Sequence, residues 1–98
     1  MYKSVIAGYS RSPFTMARKG DLIDVKPDIM LAEVIKNLVS KTKINPSEIE
    51  DVIVGCAFPE GEQGFNIGKL VTFLSGMDIK TSGMTVNRWC GSSMESIH

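Results

Sequence analysis

The stretch that decides the fold is TVNRWCGSSMESIH, residues 85–98. It opens with β-branched residues typical of a strand, passes through Cys90, and continues into small residues typical of a helix start. A strand that turns directly into a helix is a common unit of parallel α/β sheets. The sequence therefore predicts a strand over residues 84–88 and a helix from Gly91 onward, with Cys90 in the turn between them.

Two helices are predicted upstream of this junction. The first enters at Pro27 and Asp28, where the aspartate can accept hydrogen bonds from free first-turn amides, and ends near residues 41–43. The second is capped by Asn66 and closed by Gly76. Each carries one apolar stripe at helical spacing, formed by Leu31, Val34, Ile35, Leu38 and Val39 in the first helix and by Ile67, Leu70, Val71 and Leu74 in the second.

Two further strands are predicted from short apolar runs. YKSVIAG, residues 2–8, ends at a glycine, and DVIVGCAF, residues 51–58, is rich in β-branched residues and lacks helical periodicity. A short turn over residues 46–49 precedes the second run, and the loop PEGEQG, residues 59–64, follows it. The resulting order, βαβαβα, predicts an α/β fold with parallel strands and helices.

This fold is expected to be an incomplete layered sandwich. The helix that begins at Gly91 has room for only about two turns, too few to be stable alone or to cover a sheet face. We therefore expect residues 1–98 to be one partial domain, the front part of a longer protein.

Composition excludes several classes of function. Lys plus Arg and Asp plus Glu are both 11, so no excess positive charge favours nucleic acid. The longest nearly apolar run, residues 52–58, is too short to enter and cross a membrane, and the N-terminus lacks a signal-peptide pattern, so we expect an intracellular, cytoplasmic protein, with a bacterial cytosol and an organelle matrix both open. Cys56, Cys90 and the lone His98 show no metal-ligand spacing, so no metal is expected, and we do not expect a disulfide in a reducing compartment.

Cys90 is the candidate catalytic residue. Free amides at a helix start and the positive end of the helix dipole stabilise negative charge, which favours the nucleophilic thiolate and a developing oxyanion. Such geometry suits covalent acyl transfer. The alternative is structural: Cys90, Met94 and Ile97 share helical spacing and fit a buried face equally well. Cys56 lies inside an apolar strand and is expected to be structural.

Three blocks of sequence resemble the thiolase family. VNRWCGSSMESI, residues 86–97, is similar to the family's acyl-enzyme signature around its nucleophilic cysteine. RSPF, residues 11–14, resembles the element that follows the first thiolase strand. Residues 54–56 and 62–67, VGC and EQGFNI, resemble a thiolase loop and helix start. Trp89 departs from the small or aliphatic residue usual before the cysteine, and it either narrows the acyl pocket or packs against a neighbour.

The resemblance implies exchange of acyl groups between coenzyme A thioesters, with acyl-CoA and CoA as substrates and with neither a metal nor an organic cofactor. Degradative cleavage of 3-ketoacyl-CoA is favoured by the EQGFNI block, and biosynthetic formation of acetoacetyl-CoA is the alternative. CoA-binding residues are not assigned. His98 does not stand in the family's Gly-His-Pro context, so no base is assigned either. The resemblance also implies a homodimer or dimer of dimers.

The sequence gives less support to other functions. The Gly68–Lys69 pair lacks the surrounding residues of a phosphate-binding loop, so nucleotide binding is not expected. A non-catalytic thiolase-like module that binds a partner through an uncovered sheet, and a thiol redox protein that uses both cysteines, remain alternatives.

Overall fold

The computed structural model describes residues 2–98 and has at its centre a parallel sheet of two strands, β1 (Asp51–Gly55) and β2 (Ser82–Val86). The register aligns Ile53 with Met84 and Gly55 with Val86. Three α-helices surround it, α1 (Pro27–Thr42), α2 (Ile67–Leu74) and α3 (Ser92–Ile97), and 3₁₀ turns occupy Pro46–Glu48, Gly61–Gln63 and Trp89–Gly91. The chain from β1 through α2 to β2 is a βαβ unit, which confirms the α/β prediction.

Local signals in the sequence set the helix ends. The Asn66 side chain accepts a hydrogen bond from the Lys69 amide at the start of α2, and Gly76 adopts a left-handed φ of 74° beyond its end. Asp28 accepts a hydrogen bond from the Ile29 amide in the first turn of α1, and that helix ends at Thr42 as predicted. These bounds agree with the sequence because capping depends on residues a few positions apart.

Helix α2 packs closely on the sheet through Gly68. A methyl group at this position would collide with the backbone carbonyl of Met84, so only glycine allows this separation between helix and strand. The Thr85 hydroxyl accepts the Gly68 amide at 3.0 Å and donates to Asn66 Oδ1 at 2.8 Å. The start of α2 is thus hydrogen-bonded directly to β2.

The core lies between the sheet and the first two helices. Cys56, Ile67 and Val71 are buried there, and partly buried residues from α1 and β1 pack around them, namely Leu31, Ile35, Val52 and Val54. Helix α3 lies on the opposite face of the sheet, where the backbone of Ser92 and Ser93 approaches Gly55. On that face Ile53 and Met84 remain exposed.

The predicted strand over residues 2–8 is wrong for the part of the chain that the structure describes. Those residues join no sheet, and Tyr2, Val5 and Ile6 are exposed. An apolar run supplies strand propensity, but a strand also needs an edge to pair with, and among residues 2–98 only β1 and β2 pair. The other two strands end earlier than predicted, at Gly55 and Val86.

Within residues 2–98, no helix combines the length and the apolar character that a membrane crossing would require.

Candidate active site

Cys90 lies in a short 3₁₀ turn, Trp89–Gly91, which joins the end of β2 to the start of α3. The turn is sharp because Trp89 has a left-handed φ of 49°. Cys90 is exposed and has a free thiol. The structure therefore places this cysteine where the sequence predicts it, between a strand and a helix, with its side chain open to the surroundings.

Two polar side chains hold the turn. Asn87 Oδ1 accepts the Trp89 amide at 2.9 Å. Ser92 Oγ accepts the Arg88 amide at 2.9 Å and donates to the Trp89 carbonyl at 2.6 Å. Ser92 is only 3% exposed, so the two hydrogen bonds of its hydroxyl are shielded from competition with water. The Asn87 contact lies within the turn itself, two residues along the chain.

The amides around Cys90 are more fully used than the sequence suggests. Gly91 donates to the Arg88 carbonyl at 3.0 Å, and Ser92 donates to the Trp89 carbonyl. Arg88 and Trp89 donate to the side chains already described. The Cys90 amide makes no hydrogen bond to residues 2–98. Among the amides of residues 88–92, that of Cys90 is therefore the one left without a partner in residues 2–98, so the turn does not present a set of converging free amides.

Gly55, the last residue of β1, fixes the position of the turn relative to the sheet. A methyl group there would collide with the backbone of Ser92 and Ser93. Because the side chain is absent, the start of α3 can lie directly on the strand end. The Cys90 turn is thereby supported by both strands, covalently by β2 and through packing by β1.

Trp89 and Arg88 have defined partners. The Trp89 ring meets the Phe58 ring edge to face, with centroids 5.7 Å apart and planes at 77°. Of the two roles expected for the Trp89 side chain, packing against a neighbour is therefore observed. Arg88 Nε lies 3.3 Å from Glu95 Oε2, and His98 Nδ1 lies 3.9 Å from the same oxygen.

Cys56 is at the same edge of the sheet but in a different environment. Its amide donates to the Val86 carbonyl at 3.0 Å, which extends the ladder by one bond beyond Gly55. Its side chain is 8% exposed and packs with Ile67 and Val71. The thiol is free, so the two cysteines form no disulfide, and the structural role expected of Cys56 agrees with its packing.

The structural alternative for Cys90 is not supported by the described residues. Met94 and Ile97, which share its helical spacing, are both exposed. The sequence did not predict two contacts of the turn that holds Cys90, those of Phe58 with Trp89 and of the Ser92 hydroxyl with the turn backbone. A serine at the start of a helix can hydrogen-bond the backbone of the residues just before it, so the Ser92 contact is a local one. No local signal indicates the contact with Phe58, because it joins the ends of two different strands.

Comparison with known proteins identifies the class. Residues 4–98 match the family model described as thiolase, N-terminal domain. The chain therefore belongs to the thiolase family, as its three sequence blocks suggest.

Relatives and solved structures agree with this assignment. The chain is 40% identical over 99 aligned residues to 3-ketoacyl-CoA thiolase of Colwellia psychrerythraea, with 100% of this chain and 26% of that protein covered. It is 37% identical over 97 residues to 3-ketoacyl-CoA thiolase of Bacillus subtilis, with 99% of this chain and 25% of that protein covered. The chain thus spans about a quarter of the length of these relatives.

Among solved structures, acetyl-CoA acetyltransferase from Syntrophomonas wolfei superposes with a TM-score of 0.85 at 17% identity, over 95% of this chain and 23% of that one. The Acat5 thiolase from Ascaris suum, solved in complex with coenzyme A, superposes with a TM-score of 0.72 at 28% identity, over 81% of this chain and 20% of that one. The first likeness confirms the fold as that of a thiolase N-terminal domain.

Proposed function

We propose that this chain supplies the nucleophile of a thiolase, in which Cys90 carries an acyl group between coenzyme A thioesters. The observation that carries the proposal is an exposed cysteine in a turn held by Asn87 and Ser92, in a chain of the thiolase family. Exposure lets a thioester reach the sulfur, and the anchored turn keeps the sulfur in one position.

In the degradative direction the Cys90 thiolate attacks the C3 carbonyl of a 3-ketoacyl-CoA. The bond between C2 and C3 then breaks, its electron pair stays on C2, and a proton added there gives acetyl-CoA. The acyl group remains as a thioester on Cys90. The thiolate of free CoA attacks this thioester, which releases a shortened acyl-CoA and restores the Cys90 thiolate.

One feature of the site and one of the substrate favour these steps. The Cys90 amide, which is free of partners among residues 2–98, can donate to the oxygen that becomes negative when the carbonyl is attacked. The proposed steps need neither a metal nor an organic redox cofactor, because the thioester itself stabilises charge on the adjacent carbon. The groups that move the protons are not assigned to any described residue.

We favour 3-ketoacyl-CoA cleavage over acetoacetyl-CoA formation because the relatives at 37–40% identity carry the name 3-ketoacyl-CoA thiolase. Coenzyme A as a ligand is supported by the Ascaris thiolase, solved with coenzyme A bound. Cleavage rates of acetoacetyl-CoA and of a longer 3-ketoacyl-CoA, each measured with free CoA, distinguish the alternatives. Activity confined to acetoacetyl-CoA would assign the biosynthetic role instead.

The proposal predicts a burst in the absence of free CoA. Full-length protein mixed with acetoacetyl-CoA alone should release about one equivalent of acetyl-CoA per site, because the acyl-enzyme forms and finds no acceptor. Chromatography of the released CoA species measures this amount, and Cys90→Ser serves as the matched control. A folded wild-type protein that releases no acetyl-CoA would contradict the proposal and favour a non-catalytic thiolase-like module.

We also propose that the full-length protein assembles as a homodimer or a dimer of dimers, on the strength of the family resemblance. Light scattering coupled to size-exclusion chromatography measures the assembly, and a monomer at micromolar concentration would contradict it.

A further inference from the structure

An exposed aromatic pair, Phe58 and Trp89, lies beside the proposed nucleophile. The two side chains are 58% and 66% exposed, although their rings meet edge to face. Phe58 follows β1 and Trp89 follows β2, so the pair spans the carboxyl ends of both parallel strands. Ligands of parallel sheets commonly bind at this edge.

Both aromatic residues are held through their backbones. The Trp89 amide and carbonyl are hydrogen-bonded to Asn87 and Ser92. The Phe58 carbonyl accepts the Glu60 amide at 2.8 Å and Gln63 Nε2 at 3.0 Å. These hydrogen bonds restrict the backbones of both residues, and the edge-to-face contact restricts their rings. The restriction lowers the entropy cost of binding a ligand to the rings.

The backbone of Trp89 is strained. Its φ of 49° lies in the left-handed region, which a bulky residue other than glycine rarely adopts. The strained residue is a large aromatic immediately before the nucleophile rather than a small residue. Its positive neighbour Arg88 is paired with Glu95, which partly neutralises the charge beside the indole.

We propose that the Phe58–Trp89 pair is the contact surface for the acyl chain of the thioester that reacts at Cys90, and that it makes the enzyme prefer 3-ketoacyl-CoA substrates whose chains extend beyond acetoacetyl. This inference rests on the function proposed above. Trp89 immediately precedes Cys90 in the same short turn, so a thioester that reacts at the sulfur binds next to residue 89. An indole edge-packed on a phenyl ring suits a hydrocarbon chain better than the amide-rich arm of CoA.

The test compares chain lengths in the full-length protein. We measure kcat and KM for cleavage of acetoacetyl-CoA and 3-ketooctanoyl-CoA in the wild type, Trp89→Ala, Trp89→Phe and Phe58→Ala. Trp89→Ala should lower kcat/KM for 3-ketooctanoyl-CoA about tenfold more than for acetoacetyl-CoA, mainly through a higher KM. Phe58→Ala should shift the ratio in the same direction, and Trp89→Phe should keep the ratio within about threefold of the wild type.

Phe73→Ala provides the matched control. Phe73 is an aromatic residue on α2, and its exposed fraction of 57% is similar to that of Phe58 and Trp89. Helix α2 and helix α3 pack on opposite faces of the sheet. Its removal should leave the chain-length ratio unchanged.

Distinct outcomes separate the two proposals. Equal losses for both substrates in Trp89→Ala would overturn the acyl-chain surface, since they would indicate contact with the CoA arm or support of the turn alone. A gain for 3-ketooctanoyl-CoA would also overturn it, because the indole would then be an obstacle. Failure of the wild type to cleave either substrate would overturn the proposed function and this inference with it.

Discussion

The two cysteines of this chain stand at the same edge of the same sheet and differ in almost everything else. Cys56 continues the line of β1, with its amide hydrogen-bonded to Val86 and its side chain among Ile67 and Val71. Cys90 follows β2 after a sharp turn and is exposed. One thiol completes the core, and the other is exposed.

The difference shows that the turn, and not the residue type or the sheet edge, decides what a cysteine can do here. Alternation along β1 directs Cys56 to the face that α2 covers, as it does Val52 and Val54. Beyond Val86, the side chains of Asn87 and Ser92 hydrogen-bond the backbone and stop the alternation. Cys90 therefore lies in the turn beyond the end of β2, where side chains no longer alternate between the two faces of the sheet.

The largest expected effect separates the two thiols by activity. Cys90→Ala should lower kcat/KM for 3-ketoacyl-CoA cleavage by at least about 10³-fold, because the covalent step loses its nucleophile. Cys56→Ala should stay within about threefold of the wild type, since its thiol touches only core residues. Comparable losses of kcat/KM in both variants would contradict the different roles assigned to the two cysteines.

The next effect concerns the support that β1 gives to the turn. Gly55→Ala should lower the free energy of unfolding by about 3 kcal/mol, because the new methyl group meets the backbone of Ser92 and Ser93. Gly91→Ala is the matched control, since a methyl group there meets no atom within 4 Å and φ is −93°. Denaturant unfolding measures both, and equal stability of the two variants would refute the close approach.

A smaller effect is expected from the buried hydroxyl that holds the turn. Ser92→Ala should cost about 2 kcal/mol, because the Arg88 amide and the Trp89 carbonyl each lose a shielded partner. Ser96 also donates to a backbone carbonyl in α3, at 2.7 Å, but that hydrogen bond is exposed, so Ser96→Ala should cost less than about 0.5 kcal/mol. Thermal unfolding of the pair provides the measurement; an equal cost would show that burial of Ser92 contributes nothing.

The smallest effect refines the role of the other thiol. Cys56→Ala should cost about 1 kcal/mol, because one buried sulfur leaves a small gap beside Ile67 and Val71. Denaturant midpoints of Cys56→Ala and wild type give this value. A stability unchanged within error would mean that the sulfur is not part of the packed core.

Local and non-local features of the chain differ in how well the sequence predicts them. The limits of α1 and α2 follow from signals within a few residues, namely Pro27 in the first turn of α1 and the Asn66 cap of α2, and the structure confirms them. The position of Cys90 between a strand and a helix is also a local property and was predictable. Residues 2–8 have strand composition but form no strand, because pairing depends on an edge that composition does not specify.

The candidate site shows the same division. Asn87 bonds the turn two residues on, as its short side chain permits. The contact of Trp89 with Phe58 and the close approach at Gly55 join separate elements, so they emerge only once β1 and β2 are aligned. The pairing of the turn amides was also missed, because it depends on the tight 3₁₀ geometry that follows Val86.

One measurement tests most directly whether Cys90 alone is the acyl carrier. Native full-length protein, with and without prior incubation in acetoacetyl-CoA lacking free CoA, is treated briefly with iodoacetamide, digested and mapped by mass spectrometry. We predict that Cys90 is alkylated in the untreated sample and acetylated in the treated one, while Cys56 remains unmodified in both. Alkylation of Cys90 that acetoacetyl-CoA does not prevent, or equal modification of both cysteines, would contradict the account.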